Sequence, residues 1–333
     1  MPKDNLFHYA FATLFSLIAP LTSAAETDIT ADQVLTAIEG TFGVTPGERR
    51  NHTKGTCAVG EFVGNKEASR YTLSALFSGK AIPVFARFSL AGGNPKVPDT
   101  AKSARGMALE FRLPQGQLQH FTMLNTPVFG AATPQTFFDL MVASRPDPAT
   151  GKPDVEKIKA FKATHPDNQA QAQFLDSHNP PVSYANSAFF GIHTFRFINK
   201  NKKATLVRWQ FVPEDGEKRL SDDELKTIGS NFLESALINR TQQGPIRWNM
   251  LVTLGHPGDP EDNPTLAWPE ERRKFKAGTL TIKAATAQKG AECERINYDP
   301  LVMADGIAPT NDPILLFRSP AYAISFGKRL GGF

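Results

Sequence analysis

Between residues 56 and 126 the chain alternates apolar and polar side chains in short runs, a pattern that admits few folds. The runs are Thr56–Val63, Ala81–Leu90, Arg105–Leu113 and Gln117–Thr126. In the second, Val84, Ala86 and Phe88 face one way and Phe85, Arg87 and Ser89 the other. In the third, Met107, Leu109 and Phe111 oppose Ala108, Glu110 and Arg112. A period of two places successive side chains on opposite faces of a strand. Ala91-Gly92-Gly93-Asn94-Pro95 and Asn125-Thr126-Pro127 supply turns. Several strands so closely joined by turns predict an antiparallel sheet or barrel.

Helices frame these strands. Ile29–Phe42 carries an apolar face of Val34, Leu35, Ile38 and Phe42 behind a Thr30 cap. Pro134–Ser144 reads as a helix, and Asp154–Asp176 as one or two more, ended by Pro180-Pro181. Strands return at Phe189–Asn199 and Ala204–Val212, joined by a Lys200-Asn201-Lys202 turn. Ser221-Asp222-Asp223-Glu224 is a capping box for a helix to about Asn239. Arg247–Leu254 and Gly278–Ala284 are two further strands, and Ser319-Pro320 reads as the N-cap and first position of a last helix. The chain has no repeat and no clear linker, so residues 26–333 form one α+β domain.

Residues 1–25 read as a secretory signal peptide. Lys3 precedes an apolar stretch from Leu6 to Leu21, and Thr22-Ser23-Ala24-Ala25 offers cleavage after Ala25 or one residue earlier. His8 and Pro20 interrupt the stretch, which is short for a membrane span. The mature protein is therefore expected in the periplasm or outside the cell, with no membrane attachment after cleavage. A net charge of +4, without a Lys/Arg run, gives no nucleic-acid arm. Cys57 and Cys293 match no metal-site spacing. In an oxidising compartment they form either a disulfide or two buried thiols.

Near the C-terminus, Arg318 stands four residues before Tyr322, and Arg329 seven after it on the same helical face. An ordinary phenol titrates near pH 10 and is a poor metal ligand while protonated; a neighbouring guanidinium favours its phenolate. Taken singly, these and the other polar residues have plainer readings. His52 is a surface histidine, Arg87 an edge-strand cation, Asn125 a turn residue and His193 a core histidine.

Taken in order, the set Arg49-x-x-His52-x-Lys54-Gly55, Arg87-Phe88-Ser89, Arg105-Gly106, Asn125-Thr126-Pro127, His193-Thr194-Phe195 and Arg318-x3-Tyr322-x6-Arg329 resembles the haem catalases, over residues 40 to 330. The resemblance implies the catalase core, an antiparallel eight-stranded β-barrel with surrounding helices, and one haem b per chain. Tyr322 would be the proximal ligand of the iron, held as phenolate by Arg318, with His193 and Asp312 supporting that arginine. His52 would be the distal general base, Asn125 the second distal polar group, and Ser89 the residue that sets the tautomer of His52. Arg49, Arg87 and Arg329 would pair with the propionates.

There are departures from the family pattern. Full-length catalases continue well past the position of Arg329, whereas this chain ends at Phe333, so no NADPH and a more open route to the haem are expected. Asn51 stands for an apolar residue over the haem, Ala91 for a channel valine and Phe326 for a histidine, and the distal aromatic is missing near Thr133. These features resemble the short catalase-related peroxidases. The implied activity is reduction of hydrogen peroxide or organic hydroperoxides with a small organic electron donor, with weak catalase activity. A true small catalase, a hydroperoxide isomerase of the allene-oxide-synthase kind and a haem carrier or sensor are the alternatives, and a homodimer is left open.

Overall fold

A computed structural model describes Met1 and residues 28–333. The leader expected over residues 1–25 lies, apart from Met1, outside them. Ten strands are described: β1 (Gly55–Gly64), β2 (Ala81–Leu90), β3 (Arg105–Arg112), β4 (Leu118–Leu124), β5 (Phe189–Phe190), β6 (Phe195–Ile198), β7 (Ala204–Pro213), β8 (Ile246–Leu254), β9 (Lys274–Ala287) and β10 (Ile307–Pro309). Antiparallel pairing runs β1–β2–β3–β4–β5–β7–β8–β9 and back to β1, which closes an eight-stranded barrel. β6 also pairs with β7, and β10 with β6.

The strand expected over Phe189–Asn199 is thus broken into β5 and β6. Gly191 packs so closely on Trp209 that an added Cβ would sit 2.5 Å from the indole nitrogen. The chain leaves the barrel there, and this places His193 outside it. Closure leaves these eight strands without a free edge and fills the interior with rings. Phe121 and Phe195 stack on Trp209 at 4.3 and 4.2 Å, while Phe62, Phe88, Phe111, Phe211 and Trp248 are fully buried.

The helices are α1 (Ala31–Phe42), α2 (Pro134–Ala143), α3 (Val155–Thr164), α4 (Gln169–Ser177), α5 (Asp222–Thr227), α6 (Leu233–Gln242), α7 (Glu292–Arg295) and α8 (Pro313–Leu330). The Thr30 cap and the Ser221 capping box form as expected, Thr30 in a full capping box with Gln33, but the helix begun at Ser221 stops at Thr227. Gly229-Ser230-Asn231 break it: the Ser230 carbonyl accepts from the Asp99 amide, and the Asn231 side chain accepts from Lys54. α1, α2 and α8 share an apolar cluster of Val34, Leu35, Ala37, Ile38 and Met141 with Phe317 and Ile324.

The last helix begins earlier than expected. Its N-cap is Asp312, which accepts from the amides of Ile314 and Leu315, with Pro313 at the first position. Ser319 and Pro320 lie inside it. Pro320 costs this helix one hydrogen bond and crowds the carbonyl of Leu316, a penalty that the packing of the helix offsets, while Ser319 Oγ turns away to bond the Asp299 carboxylate. Arg318 is therefore helical, one turn from Tyr322. Cys57 and Cys293 form a disulfide with Cα atoms 5.5 Å apart, which decides between the two states left open for them.

Candidate active site

The outward faces of β2, β3 and β4 are covered by α1, α2 and α8, and a cavity of about 390 Å³ separates the two layers. Period-two alternation decides what each strand offers it. Val84, Ala86 and Phe88 fill the barrel, so Arg87 and Ser89 reach the cavity. Arg49, His52, His193, Arg318, Tyr322 and Arg329 also line it, so residues from both ends of the chain meet there.

On the α8 wall four side chains form a chain of hydrogen bonds. His193 Nδ1 donates to Asp312 Oδ2 at 2.7 Å. Arg318 donates to His193 Nε2 at 3.0 Å and, through its other terminal nitrogen, to the Tyr322 oxygen at 2.8 Å. A guanidinium only donates, so Nε2 must be the bare nitrogen. Burial, opposed by Asp312, lowers the pKa of His193 and keeps it neutral. Asp312 thus supports Arg318 through His193, and also caps the helix that carries Tyr322. Thr122 Oγ1 accepts a further bond from Arg318 at 2.8 Å, a support not foreseen from the sequence.

On the barrel wall His52 has φ +54°, a left-handed conformation that a non-glycine residue adopts at a cost. Asn51 Oδ1 stabilises it by accepting from the amides of His52 and Gly92, both at 2.8 Å. His52 Nδ1 bonds Ser89 Oγ at 3.0 Å, as expected. Burial, reinforced by the charges of Arg87, Arg318 and Arg49, pushes His52 down to about 3, so it is neutral at ordinary pH. Gly106 makes room for the ring: a Cβ there would lie 2.8 Å from Ser89 Oγ and 3.1 Å from two imidazole atoms. Gly55 does the same for the Arg87 guanidinium. Both glycines belong to the quoted motifs, but their function shows only in three dimensions.

Arg49, Arg87 and Arg329 crowd one end of the cavity. Burial, then the charges of Arg87 and Arg329, push Arg49 down to about 8; burial pushes Arg87 down to about 10 and lowers Arg329. One buried terminal nitrogen of Arg49 and one of Arg329 have no hydrogen-bond partner among the described residues. Three clustered guanidiniums, two of them with a buried donor unused, call for an anion.

The remaining residues divide. Asn51, Ala91 and Phe326 line the cavity. Asn125 borders it, beside the lining residue Leu124, but is not part of the wall, and its Oδ1 accepts from the Arg105 amide at 2.7 Å. Near Thr133, Phe129 and Phe137 stack at 5.8 Å on the cavity wall. Both rings flank that position, one on each side, because α2 begins there and turns Phe137 inward.

Known proteins resemble this chain in sequence and in fold. The catalase family model matches residues 45–333. A catalase-related peroxidase of Synechococcus elongatus is 58% identical over 99% of this chain and 98% of its own length. Another, of Mycolicibacterium paratuberculosis, is 33% identical over 91% and 96%. In fold, catalase A from Saccharomyces cerevisiae superposes with a TM-score of 0.79 at 24% identity, over 86% of this chain. A fungal catalase does so at 0.80 and 23%. The chain spans 62% and 60% of those two longer chains. The barrel, the tyrosine and histidine walls and the matched span agree: the chain belongs to the catalase family.

Proposed function

We propose that this protein is a haem peroxidase, exported to the periplasm or beyond, that reduces hydrogen peroxide or organic hydroperoxides with a small organic electron donor and has weak catalase activity. What carries the reading is one cavity with the Asp312–His193–Arg318–Tyr322 chain on one wall and the His52–Ser89 pair on another. The residues fit a haem. A dicarboxylate matches the three cations and the unpartnered nitrogens of Arg49 and Arg329, and a cavity of this size and apolar lining suits a flat aromatic ligand. Bound there, haem b would supply the redox chemistry that a peroxide requires.

The protein's own part follows from its geometry. Tyr322 offers an oxygen that already accepts from Arg318, which suits it as an anionic ligand. His52 is neutral, with Nδ1 engaged by Ser89 and Nε2 free of protein partners among the described residues. Nε2 can take the proton of an incoming peroxide and return it to the departing oxygen, so that water or an alcohol leaves. Asn125, next to the wall, is assigned the stabilisation of charge developing there.

Steady-state rates on hydrogen peroxide and an alkyl hydroperoxide, with and without a phenolic donor, test the reading. Donor-dependent turnover is expected. Rapid oxygen release indifferent to donor would make it a true catalase. Loss of a fatty-acid hydroperoxide without donor would make it an isomerase.

A further inference from the structure

One short segment supplies acceptors to two of the three cavity guanidiniums, Arg49 and Arg87, the latter held also by the carbonyls of His52 at 2.7 Å and Thr53 at 3.1 Å. β9 ends at Ala287. The next residue, Gln288, accepts from Arg87 Nε at 2.7 Å. The carbonyls of Cys293, Glu294 and Ile296 then accept from a single terminal nitrogen of Arg49, at 3.2, 3.2 and 2.7 Å. That grip leaves the other terminal nitrogen of Arg49 buried without a partner.

This segment has a mechanical problem. Arg49, Arg87 and Arg329 carry like charges and repel one another, so the segment that holds Arg49 must itself be held. Noncovalent ties include an exposed Arg112–Glu292 ion pair, which contributes little, and a small apolar cluster of Ile296 and Tyr298 with the two cysteines. The covalent tie is Cys293 to Cys57, with both residues buried. Cys57 lies on β1 directly opposite Arg87 on β2.

We propose that the Cys57–Cys293 disulfide is a positioning device: it clips residues 288–296 onto the barrel so that Arg49 and Arg87 are held ready for the carboxylates of the bound cofactor. The inference rests on the reading of these cations as the carboxylate site of a haem. The clip is complete only when both thiols are oxidised, so the strength of the grip follows the redox state of the compartment.

The test compares binding of haem with binding of haem dimethyl ester, which lacks free carboxylates, by absorption titration of the apoprotein. Wild type should prefer the diacid. Cys57→Ser with Cys293→Ser should lower that preference about tenfold, the loss expected for one charge-assisted hydrogen bond, with little change in affinity for the ester. A general loosening of the fold would weaken both ligands alike, and an unchanged preference would overturn the proposal. Gln288→Ala keeps the cross-link and removes only the segment's acceptor for Arg87 Nε, leaving the His52 and Thr53 carbonyls on its terminal nitrogen, so it decides the matter if the cysteine variant does not fold. A severalfold drop in preference is expected, and none would overturn the clip. A wild type that binds the two ligands equally, or neither, defeats the haem reading itself and the inference with it.

Discussion

His52 concentrates the chemistry in one residue. Its backbone is strained, its ring is buried among cations, and Gly106 clears the space it occupies. His52→Ala should leave haem bound while peroxidase turnover falls about 10²–10⁴-fold, the usual contribution of a general base; stopped-flow rates on hydrogen peroxide check it. Gly106→Ala keeps the imidazole but displaces it. Turnover should fall about tenfold or more with the haem spectrum intact. The pH dependence has a definite sign. With His52 near 3, the base stays neutral through the range where a free histidine would protonate. The peroxide rate should therefore be flat from about pH 8 down to 5. Stability behaves differently. Below about pH 6.5 the unfolded chain takes up a proton that folded His52 refuses until about 3, so stability is lost as pH falls through that window. Urea midpoints of the apoprotein across that range measure it.

α8 joins stability to function through Asp312, which caps the helix with one oxygen and anchors His193 with the other. Asp312→Ala should destabilise the protein by roughly 2–4 kcal/mol, the sum of a lost cap and a buried donor left unpaired. It should also disturb the haem spectrum, because His193 then no longer fixes Arg318. The sequence showed this helix only in part. Asp312-Pro313 and Ser319-Pro320 carry the same start signal seven residues apart, and only tertiary packing selects the first. Local signals were readable, such as the Thr30 cap and the Ser221 box, because their partners lie three residues away. The break at Gly191 was not, because it is made by Trp209 on another strand. The His193–Arg318 contact spans 125 positions, and no spacing rule reaches so far; the family resemblance alone paired those residues beforehand.

For the whole molecule, barrel closure explains how residues so distant in sequence meet. The strand period sends one face into an aromatic interior and the other into a cavity roofed by α1, α2 and α8. The cross-link between Cys57 and Cys293 closes a separation of 236 residues and suits export. Mass spectrometry of the exported protein should find a mature N-terminus at Glu26 or Ala25; an intact Met1 would contradict the leader assignment. The proposal as a whole requires that the Tyr322 oxygen would hold the haem iron and that His52 would not. The absorption spectrum of the purified holoprotein, set beside that of Tyr322→Phe, decides the point. A five-coordinate, high-spin ferric spectrum of tyrosinate character is expected, and it should disappear in the variant. A six-coordinate spectrum, or one unchanged by Tyr322→Phe, would contradict it.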